Sequence, residues 1–199
     1  KHTFTPVDIS GEDLLYLQYT GGTTGLSKGA ILTHRNLVAN IIQITTFLGA
    51  RIKEGEEVVV TAIPLYHIFA LMVNCLSYFT KGGRNVLITN PRDMPGFVAE
   101  LSNWKFSVIT GVNTLFNGFL HTPGFAELDF SALKLTAGGG TAIQEAISNK
   151  WREVTGQHIT EGYGLSETSP VVTFNLAGRD EFTATIGIPM PSTDVTLRD

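Results

Sequence analysis

The chain has 199 residues, and 14 lysines and arginines against 18 aspartates and glutamates leave a formal charge of −4. With 43% apolar and 16% charged residues it can bury a core, which excludes wholesale disorder, and its length suits one ordinary domain or a piece of a larger one. The mildly acidic balance, without a Lys/Arg cluster, excludes a dedicated nucleic-acid binder; the lone Cys75 offers neither a disulfide nor a thiolate metal site, as expected in a reducing compartment.

In chain order, the first strong feature is a glycine- and threonine-rich segment from Tyr19 to Gly29. Thr33 then caps a predicted helix whose apolar stripe runs Leu37, Ile41, Ile44, Leu48 and stops at Gly49. From Val58 to Thr80 no charged residue appears, which is long enough to cross a bilayer if helical. Pro64, His67, Asn74, Ser77 and Thr80 interrupt that run and valines open it, so it reads as a buried strand (Val58–Ile63), a loop and a core helix. Val86–Thr89 reads as the next strand. Asp93 and Pro95 start a helix carrying Phe97, Leu101 and Trp104 on one face, and Phe106–Thr110 follows as a strand. A second uncharged window, Phe106–Ala126, is broken by glycine, asparagine and proline and reads as core and pocket lining. Leu133–Ala137 is a strand, Gly138-Gly139-Gly140 a tight loop, and Ile143, Ile147, Trp151 and Val154 the face of a helix closed by Gly156. The alternating run Thr193–Arg198 reads as a strand wanting a partner. The chain opens at Lys1 with no charged-then-apolar leader, so no signal peptide is read, and an excised segment that continues beyond Asp199 is expected.

Helix and strand alternate throughout. That pattern predicts an α/β layered domain, with mostly parallel strands joined by crossover helices and ligand sites at the carboxyl ends of the strands. Neither an internal repeat nor a second compact domain is visible.

The glycines of Tyr19–Gly29 let consecutive N–H groups face one anion, Thr20, Thr23 and Thr24 add hydroxyls, and Lys28 adds charge. A Walker A loop is excluded, because Gly25 and Lys28 are three apart and Gly29 follows the lysine. By itself the segment reads equally as a flexible polar loop or a phosphate cradle; the density of hydroxyls beside a lysine favours phosphate.

With its other motifs the sequence resembles the adenylate-forming (AMP-binding) superfamily, nearest to bacterial long-chain fatty-acid–CoA ligases. The family's phosphate-loop signature, Tyr-Thr-Ser-Gly-Thr-Thr-Gly-x-x-Lys-Gly, matches Tyr19 to Gly29 with departures at Gly22 and Ser27. Three more segments match in order: Pro64-Leu65-Tyr66-His67-Ile68-Phe69, Glu161-Gly162-Tyr163-Gly164-Leu165-Ser166-Glu167-Thr168 and Gly187-Ile188-Pro189-Met190-Pro191. The resemblance runs from about Asp13 to Asp199. It implies that residues 1–199 are one fragment of the large N-terminal adenylation domain. An early N-terminal part and a C-terminal lid domain would lie outside, and the family's ribose-binding aspartate and catalytic lysine would belong to later motifs beyond Asp199.

The resemblance also implies the activity: a long-chain fatty acid is activated with ATP and Mg²⁺ to an acyl-adenylate, then transferred to coenzyme A. It places Tyr19, Thr20, Gly21, Gly22, Thr23, Thr24, Gly25, Lys28 and Gly29 around the β- and γ-phosphates, where donors stabilise departing pyrophosphate. Glu167 resembles the family's magnesium ligand, with Thr20 as a second, and Ser166 replaces a threonine hydroxyl at the α-phosphate. Tyr163, between Gly162 and Gly164 and preceded by Glu161, would lie on an adenine whose other wall is Gly138, Gly139 and Gly140. A core aromatic and a plain turn are the ordinary alternatives for Tyr163 and the triplet. His67 resembles the position beside the substrate carboxylate; an isolated histidine here would otherwise be a core residue, and it is read as positioning substrate rather than as a base. Carboxylate attack on a phosphate needs no proton removed at neutral pH, so His67, Lys28 and Glu167 are expected to act by alignment and charge.

Val112, Leu115, Phe116 and Phe119, with Phe69 and Met72, are candidates for an apolar acyl slot, ordinary core packing being the alternative. No acidic residue lies between Gly111 and Phe116 to hold a substrate amino group, which favours a fatty acid over an amino acid. The expected partners are therefore fatty acid, ATP and CoA, not nucleic acid. The whole enzyme would be cytoplasmic or peripheral at a membrane, its oligomeric state open, with a homodimer as one arrangement. Two rival functions remain: adenylation of another acid or for a carrier-protein acceptor, and a non-catalytic nucleotide-binding module. The piece alone is expected to be nearly inactive and to expose apolar surface.

Overall fold

A computed structural model describes residues 4–20 and 28–198. A hairpin comes first: strand β1 (Leu14–Thr20) pairs antiparallel with β2 (Lys28–Thr33), in a register that puts Thr20 opposite Lys28. Helix α1 (His34–Leu48) leaves β2 without a loop. Thr33 Oγ1 accepts the Asn36 N–H (3.3 Å) while Asn36 Oδ1 accepts the Thr33 N–H (2.9 Å), a reciprocal cap, and the helix stops at Gly49. Strand β3 (Val58–Thr61) leads through a loop into the π-wound segment Ala70–Leu76, which continues into the short helix α2 (Ser77–Phe79). The order then alternates: β4 (Arg84–Leu87), α3 (Met94–Leu101), β5 (Val108–Gly111), α4 (Asn113–Leu120), β6 (Leu135–Gly138), α5 (Glu145–Thr155) and β7 (Thr160–Gly164). Two further strands, β8 (Val171–Phe174) and β9 (Ile188–Pro189), complete a seven-stranded sheet in the order β4-β3-β5-β6-β7-β8-β9.

The strands from β4 to β7 are parallel and β8 and β9 antiparallel, so the sheet is mostly parallel as the alternation predicts. Strand order reverses at β3: the chain moves outward to β4, then returns past β3 to β5. In such sheets the carboxyl ends flanking the reversal form a crevice.

Strands β5 and β6 are buried along their whole length because helices cover both faces. Val60 and Ile109 face one layer, where Phe97, Phe116, Phe119, Phe125 and Trp151 pack together, while Val59 and Val108 face the other, with Ile44 and Leu48 of α1, Val73 and Tyr78. The Trp151 ring lies 4.9 Å from that of Phe116, and its N–H donates to Thr136 Oγ1 of β6 (3.1 Å). Local signals set the helix ends: Asp93 accepts the Gly96 N–H, Pro95 sits in the first turn of α3, and α5 ends on Gly156 at φ +82°.

Two expectations are corrected. Thr193–Arg198 is not a strand: the chain turns at Thr193, whose N–H donates to Met190 O, and no neighbouring strand reaches beyond it among the described residues. Trp104 falls outside α3, because the helix ends at Leu101 and the indole folds back to Glu100 Oε1 (2.7 Å). The uncharged window from Val58 resolves into strand, loop and helix, and no helix among the described residues is long and apolar enough to cross a membrane. The outward face of the hairpin, with Leu15, Leu17, Tyr19 and Ile31, is apolar and exposed.

At the amino end of the sheet Glu57 is buried, with Oε1 accepting from Lys134 Nζ (2.8 Å) and the Lys53 N–H (2.7 Å). Burial works against its charge, but Lys134, Lys53 and Ser107 outweigh it and hold the carboxyl below its usual range. Desolvation, with Glu57 nearby, pushes the buried Tyr78 hydroxyl well above its ordinary value.

Candidate active site

A cleft of about 400 Å³ opens where β3, β6 and β7 deliver their carboxyl ends. Its polar mouth is formed by Thr20, His67, Gly138–Gly140, Gly162–Gly164, Ser166 and Glu167. Thr20 comes from the hairpin, Glu167 from the turn Ser166–Thr168 after β7, and β2 approaches that turn to within 8 Å between Cα atoms. The two motifs that the sequence separates by more than a hundred residues therefore share one opening. Thr20 Oγ1 reaches Lys28 O (3.3 Å), joining the lysine's backbone to the cleft wall. The exposed Lys28 side chain is not part of the wall. Gly21, Gly22, Thr23, Thr24 and Gly25 lie outside the described residues.

His67 Nδ1 accepts the Phe69 N–H (3.2 Å). That bond assigns the proton of the neutral ring to Nε2, which makes the outer nitrogen a donor suited to an anionic oxygen rather than a proton acceptor. The segment carrying His67 and Phe69 is held from below by Asn74, whose amide donates to Thr61 Oγ1 (3.0 Å) and Thr110 Oγ1 (2.8 Å) on two strands. From the hairpin side, Gln18 donates to Tyr66 O (3.3 Å).

The glycines have different reasons from those read in the sequence. A Cβ at Gly162 would strike the Phe174 ring, and one at Gly164 the Pro170 carbonyl, so close packing of β7 against β8 requires them. Tyr163, 43% exposed, projects at the cleft between them. Gly138 packs on Ile143 and Ile159, whereas Gly139 faces Phe69 and Gly140 sits at φ +77°. Glu161 is placed in a supporting position: its carboxylate accepts the Ile143 N–H (2.9 Å) and its carbonyl the Asn175 N–H (2.9 Å), which braces the glycine turn. Tyr19 and Gly29 pack on one another across the hairpin, with the Tyr19 ring on the exposed face.

The acyl-slot residues are redistributed. Phe116 and Phe119 are fully buried in the aromatic layer with Trp151, and Met72 in a cluster with Leu32 and Leu37. Leu115 packs against the aromatic layer, and Val112 lies outside the cleft wall. Of those candidates only Phe69 lines the cleft. Its apolar depth is instead built by Ile44, Phe47 and Leu48 of α1, Val73, Leu135, and Val171, Phe174 and Met190. The spacing of the α1 stripe marked Ile44 and Leu48 as buried but carried no sign of what they face.

The AMP-binding enzyme family matches residues 2–199. This chain belongs to that family. Among similar proteins, the long-chain-fatty-acid–CoA ligase of Yersinia pestis is 55% identical over 192 residues, covering 96% of this chain and 34% of the relative. A solved long-chain-fatty-acid–CoA ligase from Archaeoglobus fulgidus superposes with a TM-score of 0.78 at 27% identity, covering 94% of this chain and 39% of that one. The ATP-bound MatB from Rhodopseudomonas palustris does so with a TM-score of 0.77 at 27% identity, covering 95% and 36%. The chain thus spans about a third of the length of the curated relatives it matches.

Among the described residues no group of three or more histidines, cysteines and carboxylates is placed to hold a metal. The exposed Glu167 carboxylate and the Thr20 hydroxyl on one cleft do fit a hard cation that takes its remaining oxygens from phosphate and water.

Proposed function

We propose that the protein activates a long-chain fatty acid with ATP and transfers the acyl group to coenzyme A. One observation carries this reading: a mouth lined by Thr20, His67, Ser166, Glu167 and glycines shares one cleft with an apolar slot, so a nucleotide phosphate and an acid with a long tail can meet there. Its volume falls within the roughly 300–1,000 Å³ of small-molecule sites. The names of the similar ligases support the same substrates.

In this reading a fatty-acid carboxylate oxygen attacks the α-phosphorus, the bond to pyrophosphate breaks, and acyl-adenylate forms. The coenzyme A thiol then attacks the acyl carbon and AMP leaves. His67 Nε2–H orients the carboxylate, Ser166 and the glycine turns donate to phosphate oxygens, and Lys28 with residues 20–25 collects charge at pyrophosphate. Glu167 and Thr20 would hold magnesium, which supplies charge neutralisation at the phosphates. Tyr163 and Gly138–Gly140 flank the base. Each methylene buried against Ile44, Phe47, Leu48 and Phe174 adds about 0.8 kcal/mol, so affinity rises with tail length.

The test is acid-dependent pyrophosphate–ATP exchange on the full-length protein carrying this sequence. Long saturated acids should support exchange, short ones and amino acids should not, and Lys28→Met or Glu167→Gln should lower it by about 10²–10³-fold. Exchange indifferent to both substitutions would refute the assignment. A thiol panel then separates coenzyme A from a carrier-protein acceptor.

A further inference from the structure

Asn40 lies in the middle of α1, on the stripe that otherwise buries Leu37, Ile44 and Leu48, and is 3% exposed. An amide there is not explained by packing. Its side chain instead acts as a piece of backbone: Nδ2 donates to Val171 O (2.8 Å) and Oδ1 accepts the Val171 N–H (3.1 Å), the two bonds a neighbouring strand would make. Nδ2 also donates to Gln43 Oε1 (2.9 Å), and Gln43 Nε2 in turn donates to Pro191 O (2.7 Å) and Thr193 Oγ1 (3.1 Å).

The partners of this amide matter. Helix α1 is continuous with β2, so Asn40 is tied through the capped Thr33 to the hairpin that bears Thr20 and Lys28. Val171 is the residue at which the chain re-enters the sheet after the Glu167 turn, whose own closure is the Leu165 N–H to Pro170 O bond (3.2 Å). Among the described residues no strand pairing joins these two units, because the hairpin forms a separate two-stranded sheet.

We infer that Asn40 is a positioning residue that sets the distance between the hairpin and the glutamate-bearing turn, acting through the Val171 backbone and touching no substrate. The part that concerns Mg²⁺·ATP rests on the proposed function; the mechanical part does not.

Hydrogen exchange and Mg²⁺·ATP titration on the full-length protein test both parts. Asn40→Ala should speed exchange of the Leu165, Thr168 and Val171 amides about tenfold, leave β5 and β6 protected, and weaken Mg²⁺·ATP binding several-fold. Asn40→Asp, which keeps an acceptor for the Val171 N–H, should fall between wild type and Ala; it also serves if the Ala variant does not fold. Gln43→Ala leaves both Val171 bonds intact and should leave the turn unchanged. Unchanged exchange at the turn in a folded Asn40 variant, or equal loosening in Gln43→Ala, overturns the inference. A loosened turn with unaltered nucleotide affinity also overturns it, reducing Asn40 to a purely structural role. If wild type binds no Mg²⁺·ATP, the functional reading fails while the exchange pattern still decides the mechanical one.

Discussion

The three consecutive glycines after β6 should behave as three different residues. At Gly138 an added Cβ would lie 2.8 Å from Ile143 Cδ1 and 2.9 Å from Ile159 Cγ2, both in the buried layer, so Gly138→Ala must push two packed side chains aside. Overpacking of this kind costs about 1–3 kcal/mol, and a chain of this length loses about 2–4 °C of Tm per kcal/mol. At Gly140 the space is open, Val112 being 3.8 Å away, but φ is +77°, so alanine there costs about 1–2 kcal/mol of backbone energy. At Gly139 neither penalty applies: φ lies outside the left-handed region, and the nearest atoms, on the Phe69 ring, are 3.4 Å away. That Cβ would stand beside Phe69 on the cleft wall, in the glycine turn proposed to flank the base. Urea unfolding of the three alanine variants should therefore rank Gly138 and Gly140 as destabilised and Gly139 as wild type within about 0.5 kcal/mol. ATP titration should show Gly139→Ala as a binding defect in a fully stable protein. A Gly139→Ala variant as unstable as Gly138→Ala, or one that binds ATP normally, would refute the division of labour.

Lys134→Met should destabilise the fold by about 2 kcal/mol at neutral pH, less than the 3–5 typical of a fully buried pair because the Lys134 side chain is 38% exposed. The sign with pH follows from Glu57. A carboxyl held below its ordinary value of 4.5 stabilises the fold above that pH and loses the contribution as the pH falls further. The gap between wild type and Lys134→Met should thus hold from neutral pH down to 4.5 and close as the pH falls further in urea titrations, and a constant gap would contradict the ion-pair account. The apolar face of the hairpin predicts that this 199-residue chain self-associates with concentration, and that Ile31→Lys, at a position 70% exposed, reduces association in light scattering without loss of Tm.

Legibility in the sequence divided along a physical line. Thr33 with Gly49, Asp93 with Pro95, and Gly156 act within a few residues of themselves, so both ends of α1, the start of α3 and the end of α5 could be read directly. The valine run of β3 and the alternation of elements foretold a parallel sheet for the same reason, since burial on both faces leaves an unbroken apolar string. Phe116 and Ile44 show the opposite case. Both sit on apolar helix stripes, yet one faces the Trp151 layer and the other the cleft, and periodicity cannot tell the two faces of a sheet apart.

The motifs suggested the chemistry proposed around Tyr19–Gly29 and Gly162–Glu167, because the residue types suited to hold phosphate are legible locally. What the fold alone supplied was convergence: the hairpin and the turn open on one cleft through the pairing of Asn40 with Val171, 131 residues apart in the chain. It also supplied the reason for Gly162 and Gly164, whose missing side chains make room for Phe174 of the next strand and for Pro170 just before it. Such contacts depend on the relative placement of whole elements, which is set by packing over the entire sheet and leaves no trace in the spacing of neighbouring residues.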